Sequence, residues 1–161
     1  MKASQRAPAP ALAASGCTHF KLKQLGRVLG RHYESFVAPT GLKITQYSLL
    51  SSVIQRGPLR LGELASAMRL SASALSRNLQ PLLDQGLLEV QPGDDARSRV
   101  VQASATGRAL RVQAQRAWKR AQAALNRRLG PARVAALHEL LDGCLAVLEA
   151  PIPWPPLPSR K

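Results

Sequence analysis

The sequence predicts a mainly α-helical fold that carries one small β-hairpin and therefore falls in the α+β class. Apolar residues recur every three or four positions through most of the chain, which is the spacing of amphipathic helices. Only residues 87–103 change to short apolar runs around a polar turn, as a hairpin requires. The chain has 161 residues, of which 45% are hydrophobic, and this suits one globular core with extended ends.

Amphipathic patterns in the first half of the chain predict three helices. The first covers residues 18–37 and ends at a proline-containing turn over residues 38–41. Thr45 is expected to cap the second helix, which runs to the stop at Gly57. A short third helix follows over residues 61–68.

Ser71 is expected to cap a fourth helix over residues 72–85, which Gly86 ends. Its inward face consists of leucines at helical spacing: Leu75, Leu79, Leu82 and Leu83. Residues 87–90 and 100–103 then form two short strands, and the polar link between them makes a hairpin with a charged tip.

Two long helices complete the predicted fold. Ser104 caps a helix that runs to Leu129 and ends at Gly130-Pro131. The last helix covers residues 132–149 and carries a near-heptad stripe of apolar residues: Val134, Leu137, Leu141, Leu145 and Leu148. Such a stripe favours helix-on-helix packing, in this case with another subunit.

The two ends differ in composition from the centre. Residues 1–16 are rich in alanine and proline and are expected to form a disordered arm that does not resemble a secretory signal. Residues 150–161 form a proline-rich tail, which is either a loose end or an arm packed over a dimer. No run approaches the ~18 apolar residues of a transmembrane helix.

Residues that carry catalysis or bind metals are sparse. Cys17 and Cys144 lie far apart, match no metal-binding spacing and suggest reduced thiols in a cytoplasmic protein. The three histidines have no paired acids at triad spacing, and the sequence has no glycine-rich phosphate loop. We therefore expect neither an enzyme nor a metal or cofactor.

The charge of the chain points to a polyanionic partner. The sequence has 23 Lys and Arg against 9 Asp and Glu, a formal net charge of +14. Nucleic acid and an anionic membrane surface are the two obvious partners of such a chain. Seventeen of the cations are arginine, whose planar donor face suits phosphate and guanine.

The order of two helices, a serine-capped helix and a hairpin is that of a winged helix-turn-helix. The serine-capped helix presents no acid before Asp84, so its outer face can enter a major groove without repelling phosphates. Arginine can read guanine there, and asparagine can read adenine. The residues expected to contact DNA from this helix are Ser71, Ser73, Ala74, Arg77 and Asn78.

The hairpin supplies a second predicted DNA contact. Arg97 and Arg99 lie at or near its tip, and a narrow minor groove attracts arginine. Asp95 is close enough in sequence to orient the Arg97 guanidinium or to brace the turn. The alternative is an ordinary solvated turn with a weak surface ion pair.

The stretch from Gly41 to Gly107 resembles the MarR family of bacterial regulators. The resemblance lies in an ordered set of segments that ends with the Asp-x-Arg wing: Gly41-Leu42, residues 45–50, residues 61–65, residues 71–77, Gly86-Leu87, residues 95–99 and residues 104–107. With the long flanking helices, the similarity covers roughly residues 17–149.

This resemblance implies a homodimer that binds operator DNA in the cytoplasm and most often represses transcription. Residues 17–40 and 105–149 would form the dimerisation region, and residues 41–104 the winged helix-turn-helix. The helix that begins after Ser71 would be the recognition helix. Arg97 would enter the minor groove, with Asp95 holding it, and two half-sites would form a pseudo-palindrome about one helical turn apart.

The resemblance also implies a small effector, commonly a phenolic compound or an aromatic carboxylate bound between the dimer helices and the DNA-reading lobe. Cations on the first helix would pair with the carboxylate, and aromatic residues would form the walls. The candidates are His19, Lys21, Lys23 and Arg27 for the carboxylate, and Tyr47 and Trp118 for the walls.

Two alternatives stay open at this point. Peroxide-sensing members of the family carry a reactive cysteine near the start of the first helix, and Cys17 lies close to that place. When the sequences are anchored on Tyr33 and Gln46, however, His19 falls at the sensing position. The other alternative is a less specific basic protein that binds nucleic acid through charge alone.

Overall fold

The computed structural model describes residues 16–93 and 98–149. In chain order, the elements are helix α1 (Thr18–Val37), a 3-10 helix (Ala38–Thr40), α2 (Ile44–Arg56), strand β1 (Leu59–Arg60), α3 (Leu61–Ala67), α4 (Ala72–Asp84), β2 (Leu88–Pro92), β3 (Arg99–Ala103), α5 (Ala105–Leu129) and α6 (Pro131–Glu149). The predicted fold class, mainly helical with a small β-hairpin wing, is confirmed. The predicted arm before Gly16, the tip of the hairpin and the proline-rich tail lie outside the described residues.

Two serine caps predicted from the sequence are present. The Ser71 hydroxyl oxygen accepts a hydrogen bond from the backbone N–H of Ala74 at 3.2 Å, at the start of α4. Ser104 does the same for Gly107 at 3.0 Å, at the start of α5. These bonds satisfy N–H groups that have no partner inside the helix, which explains where both helices begin.

The predicted cap of α2 was wrong. The helix begins at Ile44, so Thr45 lies inside its first turn. The Lys43 N–H donates to Gln46 Oε1 at 2.8 Å, and the Ile44 N–H donates to a carboxylate oxygen of Glu34 at 2.7 Å. A carboxylate from α1 therefore takes the place of a local hydroxyl, and its charge also suits the positive end of the helix dipole.

The hairpin is part of a three-stranded antiparallel sheet in the order β1-β3-β2. In the hairpin, Val90 lies opposite Val101, and on the other side of β3 Leu59 lies opposite the same Val101. The sequence did not predict β1 because two residues between Pro58 and α3 are too few to show an alternating pattern. The short strand connects the start of α3 to the wing.

A leucine- and valine-rich core holds these elements together. Helix α2 lies at its centre and packs against α1, α4, α5 and β3. The largest fully buried side chains are Val37, Leu42, Leu49, Leu50, Val53, Leu64, Leu82, Leu88 and Val101. All nine lie between residues 37 and 101, so the predicted winged helix-turn-helix region contains most of the core.

Helix α6 leaves much of its apolar surface uncovered. It packs against α5, and its Val134 is buried. Leu140, Val147 and Leu148 farther along are 65%, 66% and 72% exposed. Helix α1 also leaves apolar side chains exposed: Phe20, Leu22 and Val28. In the part of the chain that the structure describes, none of the helices is both long enough and apolar enough to cross a membrane.

Candidate nucleic-acid interface

Helix α4 is anchored to the core through one face. Leu75, Leu79 and Leu82 are buried at 3%, 5% and 0% exposure. Ser71, Ser73, Ser76 and Arg77 are exposed on the other side of the helix or at its start. The core therefore fixes the direction in which the polar face points, as a recognition helix requires.

The start of α4 is rich in small polar groups. The hydroxyl oxygens of Ser71 and Ser73 lie 3.1 Å apart, and both residues are exposed. Ala74 is half-buried behind them. Unpaired backbone N–H groups and the positive end of the helix dipole are found at the same place, so this helix start is suited to bind a phosphate.

Arg77 and Asn78 differ in how accessible they are. Arg77 is exposed. The Asn78 side-chain amide is half-buried and donates to the backbone oxygen of Ala74 at 2.9 Å. Asn78 also lines a cavity between α4 and α2, so its amide faces the protein more than the solvent. Arg77 is thus the long side chain of α4 that can reach a base without breaking a bond.

Gly93 and Ser98 close the described part of the wing. The Gly93 N–H donates to the Ser98 backbone oxygen at 2.8 Å. A Cβ atom on Gly93 would lie only 2.1 Å from the Ser98 hydroxyl oxygen, so a larger residue would require the Ser98 side chain to move. Asp95 and Arg97 lie outside the described residues, between these two positions.

A second arginine lies beside Arg99 at the base of the wing. Arg99 is the first residue of β3 and is exposed, and Arg60 on β1 lies opposite the adjacent Val100. Both arginines line one shallow surface cavity, together with Leu61, Gly62 and Ser98. Sequence reasoning missed Arg60 because it did not predict β1, the strand that brings this residue next to the wing.

The aromatic residues expected to bind an effector pack against one another. The ring of Trp118 lies 6.5 Å from the ring of Tyr33 and 6.5 Å from that of Tyr47, nearly parallel to both. Tyr47 is only 7% exposed. The Tyr33 hydroxyl donates to Gln122, and partial burial raises the pKa of Tyr33 above its ordinary value. Tyr33 is a member of this cluster that was not predicted as a site residue.

The cationic candidates for the effector site lie farther along α1. His19, Lys23 and Arg27 are all exposed. At the 1.5 Å rise of a helix, Arg27 lies about 9 Å and His19 about 21 Å before Tyr33 along the helix axis. The structure therefore groups Tyr47 with Trp118 and places the three cationic residues on earlier turns of α1 than Tyr33. His32, which was not predicted, bonds through Nε2 to the backbone oxygen of Ala121 at 2.9 Å.

A comparison with models of known protein families gives a match in the part of the chain that carries this arrangement. Residues 40–98 match the model of the MarR family. Over this segment the chain is similar to the MarR family. MarR-family proteins are DNA-binding transcriptional regulators and not enzymes, and the match supports a DNA-binding regulator for this chain. Among the described residues, no group of three His, Cys, Asp or Glu side chains could hold a metal ion.

Solved structures of MarR-family regulators share the fold. The M. tuberculosis transcriptional regulator MOSR in complex with DNA is 28% identical, with a TM-score of 0.66 over 80% of this chain and 98% of that one. A mutant MarR from E. coli complexed with operator DNA is 22% identical, with a TM-score of 0.73 over 79% and 92%. The transcriptional repressor CouR bound to a 23-mer DNA duplex is 23% identical, with a TM-score of 0.73 over 80% and 92%. A comparison with curated protein sequences gave no match.

Proposed function

We propose that this chain is a cytoplasmic repressor of the MarR family that binds a pseudo-palindromic operator as a homodimer and leaves it when a small aromatic acid binds. The observation that carries the proposal is the serine-capped start of α4. It points exposed hydroxyls and Arg77 away from the core, next to a wing with two arginines at its base. A helix that presents hydroxyls and an arginine, beside a wing that carries further arginines, suits a major groove flanked by phosphates.

The DNA contacts are divided between the helix and the wing. Ser71, Ser73 and the helix start bind a phosphate, and Arg77 reads a base edge in the major groove. Ala74 packs against the groove, and Asn78 reads a base only after releasing Ala74. Arg97, Arg99 and Asp95 form the minor-groove contact at the wing, and Arg60 adds a phosphate contact at its base.

The homodimer is supported by the uncovered apolar surfaces of α1 and α6. Monomeric proteins rarely expose contiguous apolar patches of this kind, and Leu140, Val147 and Leu148 share one helix. Two subunits joined there would hold two recognition helices at successive turns of a duplex, about 34–36 Å apart. A DNA-bound relative with this fold, CouR, is described as a repressor, which favours repression for this chain.

The effector proposal rests on the cluster around Trp118. An aromatic acid would insert beside Tyr47 and Trp118, and its carboxylate would bind a cation of α1, from His19, Lys23 or Arg27. Because these cations lie 9 Å or more from Tyr33 along α1, the proposal takes the charge from α1 of the second subunit. A thiol sensor that uses Cys17 is the alternative, since Cys17 is exposed at the N-cap of α1.

Operator binding tests the proposal directly. We would measure the affinity of the purified chain for the region upstream of its own gene and for a random duplex of equal length, over a range of salt. We expect the upstream region to bind at least ~10³-fold more tightly, with a footprint over two half-sites. Equal affinity for the two duplexes would show a protein that binds nucleic acid by charge alone.

The release experiment separates the two signals. Aromatic acids and peroxide would each be added to the complex of operator with the wild type and with Cys17→Ser. Release by an aromatic acid from both proteins supports the proposed effector class. Release by peroxide from the wild type alone would identify the thiol sensor and contradict the proposal.

A further inference from the structure

An apolar cavity of about 200 Å³ lies between α2, α4 and the turn that joins α3 to α4. Its walls are Ile44, Thr45, Ser48 and Leu49 from α2, Met68 and Leu70 from the turn, and Asn78 from α4. An apolar cavity of ~150 Å³ is large enough to hold a benzene ring, so this one has room for an aromatic side chain. None of its lining residues is charged, which favours a neutral occupant over a carboxylate.

Three of the lining side chains carry a group that can accept a hydrogen bond: the hydroxyls of Thr45 and Ser48 and the amide of Asn78. The Asn78 amide uses its N–H on the Ala74 oxygen. Its carbonyl oxygen can accept a further bond, and the indole of tryptophan carries a single N–H donor on an apolar ring. An indole therefore matches both the apolar walls and the Asn78 acceptor.

An exposed ion pair joins the end of α6 to the turn that forms one wall of this cavity. The guanidinium of Arg69 binds the carboxylate of Glu149 through two bonds, one of them 2.9 Å from Nη2 to Oε2. Arg69 has a backbone φ of +51° and lies between Met68 and Leu70, two of the cavity-lining residues. The chain that continues after Glu149 thus starts within the reach of one Arg–Glu side-chain pair from the turn that forms this wall.

The continuing segment has the composition of a docking arm. In residues 150–161, proline alternates with apolar residues, including Trp154. Trp154 follows Glu149 by five residues, which can span at most about 17 Å. Proline lowers the entropy that a segment loses on binding, so a proline-rich segment can dock through a single large side chain.

We propose that the indole of Trp154 binds in this cavity of its own chain, donates to Asn78 and packs the C-terminal segment behind the recognition helix. Docked there, the segment fills the space between α4 and α2 and fixes the helix that carries Arg77. The Arg69–Glu149 ion pair places the first residues of the segment near the turn that lines the cavity. The occupant is thus a part of the same chain and not a diffusible ligand.

Fluorine NMR tests the proposal on the full-length protein. The chain has two tryptophans, Trp118 and Trp154, so labelling with 5-fluorotryptophan gives two signals. A Trp154→Phe variant assigns them, and a labelled peptide of residues 150–161 gives the free position. We expect the Trp154 signal to be displaced from that position and to return to it in Thr45→Arg, which blocks the cavity from an exposed residue of α2. Gln55→Arg, an exposed change on the same helix outside the cavity, is the control and should leave the signal displaced.

Three results would overturn the proposal. The first is a Trp154 signal at the peptide position in the wild type. The second is a displaced signal that Thr45→Arg does not move, because Trp154 would then lie elsewhere. The third is a displaced signal that returns when labelled Thr45→Arg chains are mixed with unlabelled Trp154→Phe chains. In such a mixed dimer the labelled Trp154 would occupy the open cavity of the partner subunit and not that of its own chain. Thermal unfolding of each variant shows that the change is not a loss of fold.

Discussion

The α-carbon of Gly107 lies directly against the backbone oxygen of Leu87, and a Cβ atom at this glycine would approach that oxygen to 2.0 Å. The Ser104 N–H donates to the same Leu87 oxygen at 3.2 Å, and the Ser104 hydroxyl donates to the Gly86 oxygen at 2.7 Å. The first turn of α5 is therefore joined to the chain that enters β2. This joint connects the long helix with the recognition helix and the wing.

The first prediction is that Gly107→Ala destabilises the protein. Because the clashing atom belongs to the backbone, the helix or the strand must move, and we expect a loss of about 1–3 kcal/mol in the free energy of unfolding. Chemical denaturation measures it. Gly26→Ala is the control, since this helical glycine has open space around its Cβ position and alanine there should be neutral or stabilising. Equal stability of the two variants would contradict the close contact.

The sequence was sufficient for elements whose signals are local. The bounds of α1 and the caps at Ser71 and Ser104 follow from apolar spacing and hydroxyl side chains, which act within a few residues. The start of α2 could not be found in this way. Its N-terminal N–H at Ile44 is capped by Glu34, ten residues earlier in the chain, and no local pattern records that contact.

The candidate site also has some features that local sequence signals predict and others that depend on distant contacts. The exposed position of Arg77 follows from the leucine spacing of α4. The bond from Asn78 to Ala74 does not, because an asparagine on a helix can face the solvent or bond to the preceding turn. Arg60 approaches Arg99 only through pairing of two-residue β1 with β3, a contact between segments some forty residues apart. Tertiary pairing of this kind leaves no trace in one sequence.

The second prediction separates the two roles of Ser71. Ser71→Ala removes the cap of α4 and should lower the free energy of unfolding by about 1 kcal/mol. Ser71→Asp keeps a capping oxygen, so stability should be preserved, but its charge would repel a phosphate and weaken operator binding at least tenfold. Denaturation and operator affinity are measured on both. Ser35→Ala, which removes an exposed hydroxyl of α1 that bonds only to the backbone of its own helix, is the control and should leave operator affinity unchanged. Tight operator binding by Ser71→Asp would place the helix start away from the phosphates.

The third prediction assigns different losses to the helix and the wing. Arg77→Ala should relax base preference at one position in each half-site, by about 1–3 kcal/mol of discrimination. Arg97→Ala should weaken binding to all sequences and reduce the salt dependence, because it loses an electrostatic contact with little base information. Affinities for a set of single-base operator variants at several salt concentrations measure both effects. Arg133→Ala, an exposed cation on α6, is the control, and indistinguishable profiles for Arg77→Ala and Arg97→Ala would refute the assignment.

The fourth prediction concerns the uncovered face of α6. Val147→Glu places a charge on a side chain that is 66% exposed in the single chain, so the fold of one subunit should tolerate it. If this face joins two subunits, the buried charge should shift the protein to monomers and abolish operator binding at concentrations where the wild type binds. Analytical ultracentrifugation gives the mass. His138→Glu, at an exposed polar position on the same helix, should remain dimeric, whereas a dimeric Val147→Glu would move the interface elsewhere.

The fifth prediction follows from the burial of Tyr33. Desolvation raises the pKa of this phenol above its ordinary value of 10.0. The folded chain thus keeps the proton more firmly than the unfolded chain, and the stabilisation is complete below pH 10 and is lost as the pH rises through the raised pKa. Lysines titrate in the same range, so the decisive measurement is the difference between the wild type and Tyr33→Phe in urea unfolding at successive pH values. The free energy of unfolding of the wild type should fall more steeply above pH 10 than that of Tyr33→Phe. Parallel curves would mean that the Tyr33 hydroxyl, despite its bond to Gln122, is as well solvated in the folded chain as in the unfolded one.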